Sequence, residues 1–292
     1  MKKIEYLRNY LYYPLTSVLF DPFTSVYKRN DKSVLQLIRT SYKYRLANTF
    51  NLLAFTNERN ILNYKNIHSN QRCFIIGNGP SLNNLDLSKL KDEITFGVNA
   101  IYTNYLNMGF YPTYYVLEDR LVAEDRADEI NQYKESIKFI GNHLSYCINS
   151  DERTIWLNTI MDYRDYPNFP KFSKNILRKV WVGGTVTYQC LQLAYYMGFH
   201  EVYLIGFDHN YLIPESVEVH GTELTSTKDD QNHFSKDYFG KGKRWHNPRV
   251  DRMELAYEKA KYYFENDGRK ILNATSGGRL EVFPRVSYKD LF

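Results

Sequence analysis

From Gln71 onward the chain alternates short apolar runs with turn residues and helical stretches, and this alternation constrains the fold more than any other feature. Continuous apolar runs of this length suit strands buried on both faces, which requires helices on both sides of a parallel sheet. The runs fall at residues 73–76, 94–98, 114–117, 137–140, 179–182, 202–205 and 270–272. They predict an α/β chain: a Rossmann-like, mostly parallel sheet flanked by helices. Between Gly184 and Gly198, Val186, Cys190, Leu193, Ala194 and Met197 make one helical stripe, while Leu191 and Tyr195 make the other side apolar too. That helix is expected to be buried. Asn247-Pro248 offers an N-cap and a first-turn proline to a closing helix that carries Met253, Ala256, Tyr257, Ala260, Tyr263 and Phe264. Residues 209–247 lack periodicity and read as a lid-like loop.

The N-terminal quarter is different in kind. Residues 1–72 hold 12 Lys and Arg against four Asp and Glu, a balance of +8, so the net +5 of the whole chain leaves −3 for residues 73–292. Leu35, Ile38, Tyr42, Leu46, Phe50 and Leu53 recur at steps of three and four, with Lys32, Arg39 and Lys43 beside them. We therefore divide the chain into a basic amphipathic helical extension, residues 1–70, and a nucleotide-binding catalytic domain, residues 71–292. The extension either packs on the domain or on a second copy, or sits on an anionic membrane surface. The basic segment carries no recognised nucleic-acid module, so a nucleic-acid partner is not expected. Cys73, Cys147 and Cys190 are too few and too widely spaced for a disulfide framework or a zinc site. No run approaches the roughly 18 apolar residues of a membrane span. The expected location is the cytoplasm, with the inner face of the cell membrane as a possible seat.

The chemistry is expected at strand ends. Gly77-Asn78-Gly79-Pro80-Ser81 follows the first apolar run, where glycines let backbone N–H groups approach phosphate oxygens. It is neither a Walker loop nor the dinucleotide G-x-G-x-x-G, and a plain tight turn is the competing interpretation. Asn99 and Asp119 end two further runs, with chemistry suited to a base, a ribose hydroxyl or a magnesium ion. Gly183-Gly184-Thr185 precedes the buried helix as a second phosphate candidate, and Asp208-His209 ends the next run. The high aromatic share, 16% with 27 Tyr, fits ligand-facing walls as well as compositional bias.

The order of these segments resembles the MptE-like superfamily. The resemblance is carried by residues 75–82, by Gly97-Val98-Asn99, by residues 183–187 and 193–199, by residues 201–209, and by Asn273-Ala274-Thr275 through Phe283-Pro284-Arg285-Val286. It covers about residues 71–292. That superfamily includes hydroxymethylpterin diphosphokinases and the Maf-type proteins linked to flagellin glycosylation. The same order is similar to the bacterial sialyltransferases of glycosyltransferase family 42, which use CMP-sialic acid. This second resemblance implies that residues 77–82 contact CMP, that Asn99 helps bind the donor, and that a histidine is the general base. Asp119 stands where that family has Asn.

His233 in Asn232-His233-Phe234 is the best match for the base. His209 is its first competitor, followed by His220 and His246. The resemblance thus implies inverting transfer of a sugar, such as sialic acid, a related nonulosonate or Kdo, from a CMP donor to a cell-surface glycan or glycolipid. Neither a metal nor another cofactor is required for that route. Lys241, Lys243 and Arg244 are candidates to assist the leaving phosphate. The alternatives are a diphosphokinase using ATP and magnesium on a pterin-like alcohol, with Asp119 and Asp208 holding the metal, and a non-catalytic nucleotide-binding scaffold.

Overall fold

The computed structural model describes residues 57–160, 170–212, 217–220, 223–227, 229–236 and 238–292. The expected amphipathic helix at residues 33–55, and most of the proposed extension, lie outside them.

Twelve strands are described: β1 (Arg72–Ile76), β2 (Thr95–Val98), β3 (Tyr114–Leu117), β4 (Ile137–Gly141), β5 (Thr154–Leu157), β6 (Thr159–Ile160), β7 (Val180–Trp181), β8 (Glu201–Ile205), β9 (Glu218–His220), β10 (Glu223–Thr225), β11 (Arg244–His246) and β12 (Lys270–Asn273). The α-helices are α1 (Tyr105–Met108), α2 (Arg120–Asp125), α3 (Ala127–Gln132), α4 (Val186–Met197) and α5 (Val250–Asn266). Seven strands form one sheet in the order β12-β8-β1-β2-β3-β4-β5, and every pairing in it is parallel. The α/β Rossmann-like architecture is therefore the observed one.

Strand side chains alternate between two cores. Cys73 and Ile75 face the layer containing α4 and α5, whereas Phe74 and Ile76 face the layer containing α2 and α3. Both faces are covered, which is why the strands read as uninterrupted apolar runs. All twelve residues of α4 are buried. Its ends are defined by Thr185, whose side chain accepts from the Thr187 N–H, and by Gly198 in the left-handed conformation at φ +91°.

Three expectations need correction. The run 179–182 is not a strand of the central sheet: only Val180 and Trp181 pair, with β6, outside it. The backbone of β7 is engaged on its other side by Gln192 of α4, whose Oε1 accepts from Trp181 N and whose Nε2 donates to Trp181 O. The sheet edge is instead β5, Thr154-Ile155-Trp156-Leu157, a β-branched and aromatic run that sequence reading passed over. The closing helix begins at Val250 with Arg249 as its N-cap, two positions after the expected start.

Residues 209–247 are not structureless. They contain the antiparallel sheet β11-β10-β9. Its anchor is Arg244, which pairs with Glu124 at 2.8 Å and Asp125 at 2.7 Å on α2, while Arg120 pairs with Glu223. Lys243 donates to the Asp125 carbonyl.

Candidate functional site

The sheet order reverses direction between β1 and β8: the chain runs outward from β1 through β5, then returns to place β8 on the other side of β1. Ligand sites in open parallel sheets collect at the carboxyl ends of strands at such a switch point. Here the two loops leaving those strands, Gly77-Asn78-Gly79 and Gly206-Phe207-Asp208-His209, line a common cavity of about 110 Å³. Asn99 from the end of β2, Thr185 at the N-terminus of α4, and His233 and Tyr238 from the 230–239 segment complete much of its wall.

The glycine loop is shaped by the protein's own groups. A Cβ at Gly77 would lie 2.4 Å from the Gly206 carbonyl oxygen, and one at Gly79 would lie 1.8 Å from Oδ2 of Asp208. Gly77 N–H donates to Ile205 O and Gly79 N–H to Gly206 O. Ser81 donates to the Asp208 carboxylate twice, from its backbone N–H at 3.2 Å and from its hydroxyl at 2.7 Å. The donors that the sequence suggested for a phosphate are thus engaged within the protein, those of Gly77 and Gly79 by carbonyls and those of Ser81 by Asp208. Pro80 and Ser81 are not on the cavity wall.

What the loop does present is Asn78. Its Nδ2 donates to Val98 O at 3.1 Å, and its Oδ1 is buried with no partner among the described residues. Asn99, held at φ +53°, likewise carries a buried, unpartnered Oδ1. Both residues line the cavity, and because a buried acceptor is costly to leave unmatched, a ligand donor that reached either oxygen, such as a ribose hydroxyl or an exocyclic amino group, would be stabilised there.

Gly183 and Gly184 serve packing and a turn. A Cβ at Gly183 would meet Ala256 and Tyr188 at 2.6 Å, and Gly184 adopts φ +81°. Thr185, Val186 and Thr187 reach the cavity, presenting the positive end of α4, which has no acidic residue in its first turn.

Two histidines reach the wall, each beside a carboxylate. His233 Nδ1 lies 2.7 Å from Oδ2 of Asp230, and its ring stacks on Tyr238 with centroids 4.1 Å apart. The segment is strapped to the glycine loop by Phe234 N–H donating to Asn78 O and by Asn83 Nδ2 donating to Phe234 O. Asp230 also accepts from the N–H groups of Asn232 and Phe239. Burial acts to raise the Asp230 carboxyl, but these bonds outweigh it and hold it below its ordinary value. Among the described residues, His233 Nε2 has no protein partner. His209, at φ +51°, has Nε2 at 3.3 Å from Glu254, and burial lowers its pKa.

Asp119 stands apart from this cavity. Its Oδ1 caps α2 by accepting from Leu121 N and Val122 N, and its Oδ2 faces His246 Nδ1 at 3.2 Å. Asp208 is engaged by Ser81. Among the described residues no three His, Cys, Asp or Glu gather as metal ligands. Asp208 is on the cavity wall and Asp119 is not, so the pair considered for magnesium does not converge there. Lys243 and Arg244, bonded to α2, are not at the cavity either. Sequence reading did not single out Asp230 or Tyr238; the Asp-x-x-His spacing of residues 230–233 was the available signal.

No helix among the described residues is long and apolar enough to cross a membrane. No curated protein matches the chain. The solved structure of the MAf glycosyltransferase from Magnetospirillum magneticum AMB-1 is similar at 16% identity and TM-score 0.45, over 90% of this chain and 43% of that one. The chain thus spans less than half the length of that protein. The family model described as 6-hydroxymethylpterin diphosphokinase MptE-like matches residues 46–213, more than half of the sequence, and the chain belongs to this MptE-like family.

Proposed function

We propose that this chain is a glycosyltransferase that moves a sugar from a CMP-activated donor to a hydroxyl of a glycan or glycolipid, with inversion at the anomeric carbon. The observation that carries this reading is His233, oriented through Nδ1 by buried Asp230 and left with a free Nε2 at the switch-point cavity. With its Nδ1–H donated to the carboxylate, the ring holds an Nε2 lone pair for the acceptor hydroxyl. As Nε2 takes that proton, the hydroxyl oxygen bonds to the anomeric carbon and the bond from that carbon to the phosphate oxygen breaks. CMP departs with the electron pair. The unpaired oxygens of Asn78 and Asn99 would accept from the nucleoside, and the N-terminus of α4 would face the phosphate.

Family membership keeps the diphosphokinase reading in view. That reaction calls for carboxylates converging on magnesium, and Asp119 and Asp208 are bonded elsewhere. The test is to incubate the full chain with CMP-sialic acid, CMP-Kdo or ATP with magnesium, each with its acceptor. Release of CMP on sugar transfer supports the proposal. AMP formation with a pterin alcohol, and no reaction of any CMP sugar, contradicts it.

A further inference from the structure

A second cavity, of about 320 Å³, lies beyond the first and shares His209, Asn210 and Tyr211 with it as a common wall. Its remaining lining includes Pro248 just before α5, Glu254 in the first turns of that helix, and Arg279 from the loop after β12. Neither the glycine loop nor His233 reaches it.

Arg279 is unusual among the described arginines. Arg72, Arg126 and Arg244 donate to carboxylates, Arg269 and Arg285 to carbonyls, and Arg252 also has a partner. Arg279 is exposed, and its guanidinium meets no partner among the described residues. Its backbone, by contrast, is tightly fixed. Arg279 N–H donates to Asp208 O at 2.8 Å, and Gly278 runs so close to Asp208 that a Cβ would lie 2.7 Å from the same oxygen. Arg285 clamps the preceding turn by donating to Gly277 O at 2.6 Å and Gly278 O at 3.0 Å. The fold therefore holds a cation without a partner among the described residues at the mouth of a cavity whose wall also bounds the proposed donor site.

The other walls match a sugar ring. Tyr211 is 38% exposed and stands at 70° to the His209 ring, offering an aromatic face. Glu254, half exposed, pairs with His209 at 3.3 Å and keeps acceptor capacity for sugar hydroxyls. A forked guanidinium recognises a carboxylate or phosphate.

We propose that this cavity is the acceptor subsite, and that it binds a sugar bearing a carboxylate or phosphate, with the anion on Arg279, the ring on Tyr211 and hydroxyls on Glu254. The role as acceptor subsite rests on the glycosyltransferase reading; the binding itself does not. A hydroxyl of the same acceptor would extend past His209 toward His233.

Calorimetric titration of the full chain with glucose 6-phosphate and with N-acetylneuraminic acid, with and without CMP, tests this. Binding of at least one acidic sugar is expected, weakened about tenfold or more in Arg279→Gln with CMP affinity and melting temperature unchanged. Tyr211→Ala should weaken the sugars but not inorganic phosphate. If neither sugar binds, or Arg279→Gln binds them equally, the subsite is refuted. The same anion could belong to the donor sugar: a tenfold loss of affinity for CMP-N-acetylneuraminate in Arg279→Gln would overturn the acceptor assignment. Should CMP itself fail to bind while the acidic sugar still does, the nucleotide reading fails and the binding cavity stands.

Discussion

At the scale of single residues, the arrangement rests on a few close approaches. Gly79 is glycine because Asp208 lies where a side chain would begin, so Gly79→Ala should lower stability by about 1–3 kcal/mol in urea denaturation. His233 bears the proposed proton transfer. His233→Ala should cut sugar transfer by about 10²–10⁴-fold while leaving CMP affinity intact in a binding titration. Glu118 offers a pH test. Burial first, then the adjacent Asp119 charge, push its carboxyl from 4.5 up to about 8, with His246 opposing. The folded chain then keeps a proton that the unfolded chain releases between those values, so this group's contribution to stability falls as pH rises through that window. Glu118→Gln should flatten that fall, seen as a larger stability gain at about pH 9 than at about pH 5 in parallel denaturation curves. The strand-end residues Asn78, Asn99 and His209 were legible because apolar runs stop at them. The dyad was not, because Asp230 lies in an aperiodic stretch and its role depends on folding of residues 230–239 against the glycine loop. Nor was the engagement of that loop by Asp208, since the two are 127 residues apart in sequence between Ser81 and Asp208.

Among the elements, α4 has the most demanding position. Its Gln192 accepts from the N–H groups of Ser173 and Trp181 and donates to Trp181 O, joining a polar side chain to two backbone segments inside the core. Gln192→Leu, nearly conserving volume, should lose about 2 kcal/mol in chemical denaturation because it strands two backbone donors. Residues 179–182 show the limit of pattern alone: an apolar run next to turn residues looks the same whether it joins the central sheet or pairs in a separate two-stranded one. The missed strand, β5, illustrates the converse: four residues bounded by polar segments give little periodicity, and only its parallel pairing with β4 establishes it. The small sheet β9–β11 was invisible for a related reason, since its three-residue strands are too short to show a period, and Arg244 and Arg120 tie it to α2.

For the whole molecule, strand order is what makes a site. Running β1 to β5 one way and returning to β8 on the other side brings Gly77-Asn78-Gly79 against Gly206-Phe207-Asp208-His209, and Asn232, His233 and Tyr238 add to the cavity wall. In the proposed function this crevice holds the nucleotide of a CMP sugar through the unpaired oxygens of Asn78 and Asn99. Calorimetric titration of CMP, with ATP and magnesium as comparison, into the wild-type chain and Asn99→Ala measures it. CMP is expected to bind in preference to ATP, and Asn99→Ala to weaken it about tenfold without changing the melting temperature of the free protein. Absence of CMP binding, or equal affinity in the variant, would contradict it.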